Sequence, residues 1–271
     1  MDELILCAAP VSGEAQNGEK TDVPGEVKRS YDEGASVVHL HVRDEKGTQT
    51  ADPANFKRDV DRIRSFCPVV IEGSTGGSPE NTLEERCVSI TVPGIEMGSL
   101  NLGSVNMKGS VYRNPLSEIR FYAGEMKRRK IKPGMCIFDL SMFHNAKMLE
   151  AEGLLTHPLI YNFIFDVPEA LPFLPRYLDY FLEQLPKGAH WFLTRHGSRG
   201  WEDFRPALEK GGHVRVGFED SPFLRGGERA RTNAELVREV ARAAKALGRR
   251  VVNPDETRKI FGLMNSNSLV L

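Results

Sequence analysis

Short apolar runs rich in β-branched and aromatic residues recur along the chain, separated by longer stretches in which polar and apolar residues mix. Runs of about four to eight such residues are typical of buried strands. Eight segments fit this description and are predicted to be strands: Leu4–Ala9, Ser36–Val42, Val69–Glu72, Ile95–Leu100, Met135–Phe138, Leu159–Phe165, His190–Leu193 and His213–Val216.

Several of the intervening segments place apolar residues three and four positions apart, which is the spacing of an amphipathic helix that packs on a sheet. Helices are predicted over Ala54–Ser65, Leu116–Lys130, Asn145–Glu152, Tyr177–Leu185, Asp203–Lys210 and Asn233–Leu247. Strands and helices therefore alternate. A further short helix, Asp255–Phe261, follows the last unit and is expected to pack on the outside.

This alternation predicts an α/β protein, and more specifically a single (β/α)₈ TIM barrel. Eight units in 271 residues fit a closed barrel better than an open doubly wound sheet, which usually has fewer strands. The G-x-G-x-x-G turn of dinucleotide-binding sheets is also missing after the first strand. Because no Pro/Gly/Ser-rich linker divides the chain, residues 1–271 are interpreted as one barrel domain with a short C-terminal extension.

Composition narrows the range of partners. Hydrophobic residues make up 40% of the chain and charged residues 27%, as in soluble globular proteins. A net charge of −1 provides no field that would attract nucleic acid or an acidic membrane surface. No apolar run approaches the roughly 20 residues of a membrane helix, and the N-terminal segment lacks the basic region of a signal peptide. We therefore expect a cytoplasmic protein that binds a small molecule and neither nucleic acid nor membrane.

The second predicted strand carries two histidines. Because side chains alternate between the faces of a strand, His39 and His41 share one face, while Val38 and Leu40 share the other. In a barrel the histidine face points inward, near the carboxyl end of the strand where barrel active sites lie. A single inward histidine is usually a hydrogen-bonded core residue, but two on one face favour a divalent metal, with zinc the first choice.

A metal held by two histidines needs a third ligand. Three histidines lie at or before the starts of predicted strands, at the wrong end of the barrel: His157, His190 and His213. Three residues follow strands and remain open as ligands: Asp139, His144 and His196. The best placed is Glu219, just past the eighth strand. Two histidines and a carboxylate are typical of a catalytic zinc site with an open coordination position.

Glycine and hydroxyl residues follow the third and fourth predicted strands. After the third, Ser74, Thr75 and Gly76 offer backbone N–H groups and hydroxyls to a carboxylate or a phosphate. After the fourth, Ser104 and Asn106 offer polar atoms to substrate oxygens. Both segments are equally compatible with plain turns.

Two charged features complete the same rim. Arg215, on the last predicted strand, lies near Asp220 and can hold that carboxylate ionised, bind a substrate carboxylate or form a structural salt bridge. After the first strand, Glu14 places a carboxylate on the rim, where a lone carboxylate is more often solvated. The residues alone leave these possibilities open.

Several short motifs follow the predicted strands in a defined order. They are HLHVRDEKG after the second strand, GSTGG after the third, SLNLGSVN after the fourth, GGHVRVGFED at the eighth, and then TNAELV and NPDETRKIFGL. In this order, over nearly the whole chain, they resemble the β-keto acid cleavage enzyme family. The resemblance implies a zinc-dependent barrel that combines a β-keto acid with acetyl-CoA as co-substrate, giving acetoacetate and a new acyl-CoA. It also implies a homotetramer.

Carried over motif by motif, the resemblance implies that His39, His41 and Glu219 bind zinc or another divalent metal. It implies that Asp220 is the general base and that Arg215 orients it. A metal on the keto and carboxylate oxygens makes a ketone more electrophilic, and a carboxylate shielded from water can take a proton to begin carbon–carbon bond formation.

The resemblance further places Ser74 and Ser104 on substrate oxygens and Glu14 near the pocket. Two stretches differ from the family pattern, Asp166–Pro175 and Thr194–Arg205. Since loops at this end of a barrel contact the substrate, these differences bear on substrate choice.

Two other classes of protein remain as alternatives. A metal-dependent hydrolase of the amidohydrolase type also pairs a His-x-His strand with an aspartate after strand eight, but usually on the first strand and with further histidines on middle strands. Here the pair is on the second strand, and only His144 and His196 are available. A non-catalytic metal-binding barrel would need no base beside the metal, whereas Asp220 adjoins Glu219.

Overall fold

The computed structural model describes residues 2–11, 21–77, 80–107 and 109–263. Its strands are β1 (Glu3–Leu4), β2 (Leu6–Ala8), β3 (Val37–Leu40), β4 (Val70–Gly73), β5 (Met97–Asn101), β6 (Val105–Met107), β7 (Ser110–Tyr112), β8 (Lys132–Ile137), β9 (Ile160–Phe165), β10 (His190–Arg195), β11 (His213–Val216) and β12 (Arg250–Val251). Its α-helices are α1 (Val23–Asp32), α2 (Pro53–Arg64), α3 (Leu83–Arg86), α4 (Leu116–Arg129), α5 (Ser141–Ala151), α6 (Pro175–Gln184), α7 (Arg205–Glu209), α8 (Asn233–Ala246) and α9 (Pro254–Phe261).

Eight parallel strands close into a barrel in the order β2, β3, β4, β5, β8, β9, β10 and β11, with β11 pairing back onto β2. The outward-facing side chains of these strands and the apolar faces of the surrounding helices form the larger buried cluster. The predicted (β/α)₈ barrel is therefore confirmed. No helix among the described residues has the length and apolarity needed to cross a bilayer.

Most strand bounds differ from the prediction by one to three residues, and three of these differences affect the architecture. The first predicted strand is divided, because β1 leaves the barrel to pair with β12 outside it, with Glu3 opposite Arg250. Strand β8 begins at Lys132, three residues before the predicted start at Met135. Strand β3 ends at Leu40, so that the second histidine of the pair lies just beyond the strand.

Several elements were not predicted from the pattern, among them helix α1 and a hairpin. Helix α1 begins with Val-Pro-Gly; glycine lowers helix propensity and proline is tolerated only in the first turn, so its start looks like a loop. The antiparallel hairpin formed by β6 and β7 places Asn106 opposite Val111. Its strands are only three residues long, too short to show an alternating pattern.

Helix α9 closes the amino-terminal end of the barrel. Phe261 is fully buried in a second apolar cluster formed by inward-facing strand residues, among them Ile5, Val70 and Phe192. The expectation that this helix packs on the outside was wrong. Its apolar face seals the open end of the barrel, where inward side chains would otherwise meet water.

Two histidines belong to this closed end. The ring of His213 stacks on that of His190, with centroids 5.7 Å apart, and both rings lie near Phe261. The backbone N–H of Ile5 donates to Nδ1 of His213 at 3.2 Å. Burial lowers the pKa of His213 well below its ordinary value, with a further contribution from His190. His213 is therefore a neutral acceptor that belongs to the core.

This environment predicts a pH-dependent stability. The unfolded chain protonates His213 below about pH 6.5, whereas the folded chain resists protonation, so the free energy of unfolding falls as pH drops below that value. The contribution approaches about 1.4 kcal/mol per pH unit. His213→Asn keeps an acceptor for the Ile5 N–H and should flatten the dependence between pH 6.5 and 5, measured by urea unfolding. The exposed histidine variant His144→Asn is the control, and equal slopes in both variants would contradict the assignment.

Candidate metal centre and active site

Two histidines and a glutamate meet at the carboxyl end of the barrel. Nε2 of His41 lies 3.4 Å, and Nε2 of His39 lies 3.7 Å, from Oε1 of Glu219. The two imidazole rings are nearly perpendicular, with centroids 5.1 Å apart. One potential ligand atom from each residue falls within 4.8 Å of the others. The structure thus brings together the three residues predicted to bind metal.

A tight backbone crossing places Glu219 beside the histidines. Strand β11 pairs with β2, and β2 pairs with β3, which carries His39. Beyond β11 the chain turns at Gly217, where φ is +155° and a Cβ would lie 2.1 Å from the carbonyl oxygen of Ala9. The backbone N–H of Glu219 then donates to that same oxygen at 3.1 Å. Only glycine permits this close approach.

A second carboxylate orients one of the histidines. Oε2 of Glu72, on β4, lies 2.7 Å from Nδ1 of His39, so that Nδ1–H donates to Glu72 and the lone pair of Nε2 faces Glu219. The side chain of Glu72 fits because the neighbouring backbone is that of Gly134, where a Cβ would lie 2.1 Å from Oε1 of Glu72. An apolar strand thus contains a buried acid with a defined partner.

The donor set fits a divalent cation. Nε2 of His41 and Oε2 of Glu219 are buried without a hydrogen-bond partner. Burial lowers the pKa of His41, which favours the neutral imidazole that a metal requires. Burial alone would raise the pKa of Glu219, but the positive charge of Arg215, followed by the histidines, holds it well below its ordinary value. Two neutral imidazoles and one carboxylate leave coordination positions open.

Arg215 links this cluster to Asp220. Its Nε donates to Oδ2 of Asp220 at 2.9 Å and its Nη2 to Oδ1 at 3.0 Å, while Nη2 also reaches Oε1 of Glu219 at 2.5 Å. The side chains of Arg215 and Asp220 are buried, and that of Glu219 is only 13% exposed. Burial opposes the charged form of Arg215, but Asp220 and Glu219 together raise its pKa well above the usual value. The guanidinium therefore fixes both carboxylates by charge-assisted hydrogen bonds.

The three other residues considered as ligands lie elsewhere. Nε2 of His196 lies 3.5 Å from Oδ1 of Asp220, so this ring borders the aspartate instead of joining the cluster. His144 is exposed on α5, and Asp139 accepts from the hydroxyl of Ser141. Within the described residues, the potential metal cluster comprises His39, His41 and Glu219.

The loop after β4 contributes to the cavity. Ser74 and Gly76 line it, and the backbone N–H of Gly76 donates to Oγ of Ser74 at 3.0 Å. Thr75 is fully buried, and its hydroxyl donates to the carbonyl oxygen of Ser99 at 2.6 Å. Thr75 therefore fixes the loop, and its predicted role in binding substrate stays a prediction.

The remaining residues predicted to bind substrate are farther from the cavity or outside the described ranges. Ser104 accepts from the backbone N–H of Asn114 at 2.8 Å, and Asn106 is exposed on β6; neither lines the cavity. Glu14 lies outside the described residues. Substrate contacts by these three residues stay predictions.

Sequence reasoning missed the residue that joins the loop to the hairpin. The buried guanidinium of Arg86 donates through Nε to the carbonyl oxygen of Thr75 at 3.0 Å and through Nη2 to Oδ1 of Asn114 at 2.6 Å. The hydroxyl of Tyr112, on β7, lies 3.5 Å from Nη2 and accepts from Nδ2 of Asn101 at 3.2 Å. An arginine within the run Leu-Glu-Glu-Arg carries no signal of burial, because the partners are distant in sequence.

The cavity over the cluster has a volume of about 390 Å³. Its floor includes His39, His41, Arg215 and Glu219, and His196 stands at its side. Closely spaced ligand atoms, an adjacent ion pair and a hydroxyl-bearing loop around one cavity are the elements of a metal-assisted active site.

The chain matches a known protein family. The family model for beta-keto acid cleavage enzymes matches residues 19–263. The chain belongs to this family. The resemblance carried by the motifs is thereby confirmed, together with the prediction that the chain is an enzyme of the acyltransferase type.

Curated relatives of the family align over most of the chain. The 3-keto-5-aminohexanoate cleavage enzyme of Acetoanaerobium sticklandii is 36% identical and the alignment covers 97% of this chain and 99% of the relative. The enzyme of the same name from Fusobacterium nucleatum is 34% identical, with the same coverage. The 3-oxoadipate:acetyl-CoA acetyltransferase of Cupriavidus necator is 34% identical over 86% of this chain and 83% of the relative.

Solved structures share the fold. A ternary complex of ObcA with a C4-CoA adduct and oxalate aligns with a TM-score of 0.72 and 19% identity, covering 89% of this chain. This chain spans 66% of the length of that one. The complex of ObcA with oxaloacetate gives the same TM-score and identity. The TIM-barrel architecture is therefore shared at low sequence identity.

The contact between Glu72 and His39 predicts an effect on metal affinity. Glu72→Gln keeps the shape of the side chain but removes the charge that orients His39, and partners of this kind typically contribute roughly 10- to 100-fold to metal affinity. Competition with a chromophoric chelator should show a loss of zinc affinity in that range. Glu125→Gln, at a surface ion pair on α4, is the matched control. Equal affinities in both variants would remove Glu72 from the site.

Proposed function

We propose that this protein is a zinc-dependent β-keto acid:acetyl-CoA enzyme that converts a β-keto acid and acetyl-CoA into acetoacetate and a new acyl-CoA. The observation that supports it best is the cluster of His39, His41 and Glu219, in which two buried ligand atoms have no hydrogen-bond partner, next to the pair of Arg215 and Asp220. The names of the relatives, which include two acetyl-CoA transferases, support acetyl-CoA as the co-substrate.

His39, His41 and Glu219 would hold the metal. When bound, zinc polarises a ketone and stabilises the negative charge that develops on its oxygen. The mixed nitrogen and oxygen donors fit zinc, and another divalent metal such as Mn²⁺ would use the same residues. Ser74 lines the cavity, and its hydroxyl, which accepts from the backbone N–H of Gly76, would donate to the substrate carboxylate.

Asp220 and Arg215 supply the proton chemistry in this proposal. Asp220 takes a proton from C2 of the β-keto acid, and Arg215 keeps the carboxylate in position through two hydrogen bonds. The C2 carbanion attacks the acetyl carbonyl carbon, CoA thiolate leaves and adds to the original keto carbon, and the bond between C2 and C3 breaks. The electron pair of that bond stays on C2, where Asp220 returns its proton, so that C1–C2 and the acetyl group form acetoacetate while the acyl group leaves as acyl-CoA.

The alternatives receive less support. A hydrolase of the amidohydrolase type needs further histidines at the metal, and among the described residues His196 lies beside Asp220 and His144 is exposed on a helix. A non-catalytic barrel would need neither the pair of Arg215 and Asp220 nor a cavity over the metal. The homotetramer and the cytoplasmic location stay predictions.

The proposal predicts acyl exchange that depends on both substrates. The full-length zinc-loaded protein should consume acetyl-CoA only with a β-keto acid, and mass spectrometry should detect acetoacetate and the new acyl-CoA in equal amounts. His39→Ala, which removes one ligand, should retain the circular dichroism spectrum but lose bound zinc, measured by elemental analysis, together with turnover. Hydrolysis of esters or amides without acyl exchange, or full zinc content in the variant, would refute the proposal.

Asp220→Asn tests the assigned base. The amide keeps the shape and one acceptor for Arg215 but cannot take the proton, so kcat should fall by roughly 100- to 10,000-fold while zinc content is unchanged. His196→Gln is the companion variant, because its ring lies beside Asp220 at the cavity. Near-normal turnover of Asp220→Asn combined with loss in His196→Gln would move the base to His196.

A further inference from the structure

One wall of the active-site cavity is apolar. Five side chains form this wall: Met107, Val111, Phe138, Ile164 and Val167. Phe138, Ile164 and Val167 are buried in the barrel, whereas Val111, on the β6–β7 hairpin, is 55% exposed. An exposed valine over a cavity gains from being covered by an apolar ligand.

The apolar wall lies across the barrel from the metal cluster. The ligands come from β3 and from the turn after β11, the two strands on either side of β2. Phe138 follows β8, and Ile164 is on β9, which are the fourth and fifth strands from β2 in the barrel order. A molecule bound at the metal through one end therefore extends its other end toward this wall.

The charged and imidazole side chains of the cavity lie on the side of the metal cluster, away from the apolar wall. The charged and imidazole side chains that line the cavity in the described part of the chain are His39, His41, His196, Arg215 and Glu219. All of them belong to the metal cluster or the neighbourhood of Asp220. The other described residues that line the cavity beside this wall, Ser110, Tyr112 and Cys136, are uncharged. A charged group there would lose hydration without gaining a partner.

We infer that the β-keto acid used by this enzyme carries a neutral, apolar acyl chain, which packs against Met107, Val111, Phe138, Ile164 and Val167 while its keto and carboxylate oxygens occupy the metal side. This inference rests on the proposed function. The new acyl-CoA would then be an unsubstituted or alkyl-branched aliphatic thioester.

Three 3-oxo acids with six-carbon chains test the inference: 3-oxohexanoate, the anionic 3-oxoadipate and the cationic 5-amino-3-oxohexanoate. With the full-length zinc-loaded enzyme and acetyl-CoA, kcat/KM for 3-oxohexanoate should exceed each charged compound by about 10-fold or more. Shortening the chain to 3-oxopentanoate should lower kcat/KM by roughly three- to fourfold, the contribution of one buried methylene group.

A variant of the wall makes the test independent of the absolute rates. Val111→Lys adds a positive charge at an exposed hairpin position, where the fold tolerates it, and should shift the ratio of kcat/KM values toward 3-oxoadipate by about 10-fold. Tyr180→Lys is the matched control, because Tyr180 is also an exposed large side chain but lies on α6, outside the cavity lining. The control should leave the ratio unchanged.

The possible results separate the two proposals. Equal or higher kcat/KM for a charged compound would overturn the apolar inference and leave the proposed function intact. An unchanged ratio in Val111→Lys would also overturn it, since the wall would then not contact the chain. Absence of acyl exchange with all four 3-oxo acids would refute the proposed function, and the inference with it.

Discussion

The site depends on the hydrogen bonds that the buried guanidinium of Arg215 donates to two carboxylates. Two carboxylates, Glu219 and Asp220, lie side by side in the barrel and would repel each other without it. One positive charge cannot neutralise two negative ones, and burial keeps the imidazole of His41 from supplying another. The cluster therefore retains a negative charge in a region of low dielectric constant. A divalent cation is the natural complement of that charge.

The two ends of the barrel use histidine in opposite ways. At the carboxyl end, His39 and His41 present ring nitrogens toward a carboxylate. At the amino end, His190 and His213 stack on each other beneath Phe261 as part of an apolar seal. The sequence distinguishes these pairs because strand direction is known once the barrel is recognised. A histidine at the start of a strand is thereby separated from one at its end.

Local sequence patterns predicted the features that depend on residues close together in the chain. The apolar runs located the eight barrel strands, and the period of two placed His39 and His41 on one face. Position after the last strand identified Glu219 as the best-placed third ligand. Pattern failed where a role depends on contacts between distant segments. The pairing of Glu72 with His39 and the position of His196 beside Asp220 became visible only once neighbouring strands were in place.

The hairpin that overhangs the cavity has a consequence for how specificity can change. Through Arg86 it is tied to the loop that carries Ser74 and Gly76, so the base of the hairpin is held by the same contacts that shape the reacting end of the site. Val111 near its turn, in contrast, is exposed and takes no part in those contacts. Substitutions near the turn can therefore alter this side of the cavity while His39, His41 and Glu219 stay in place. One short antiparallel ribbon thus combines a base fixed by buried hydrogen bonds with an exposed end whose side chains can change independently.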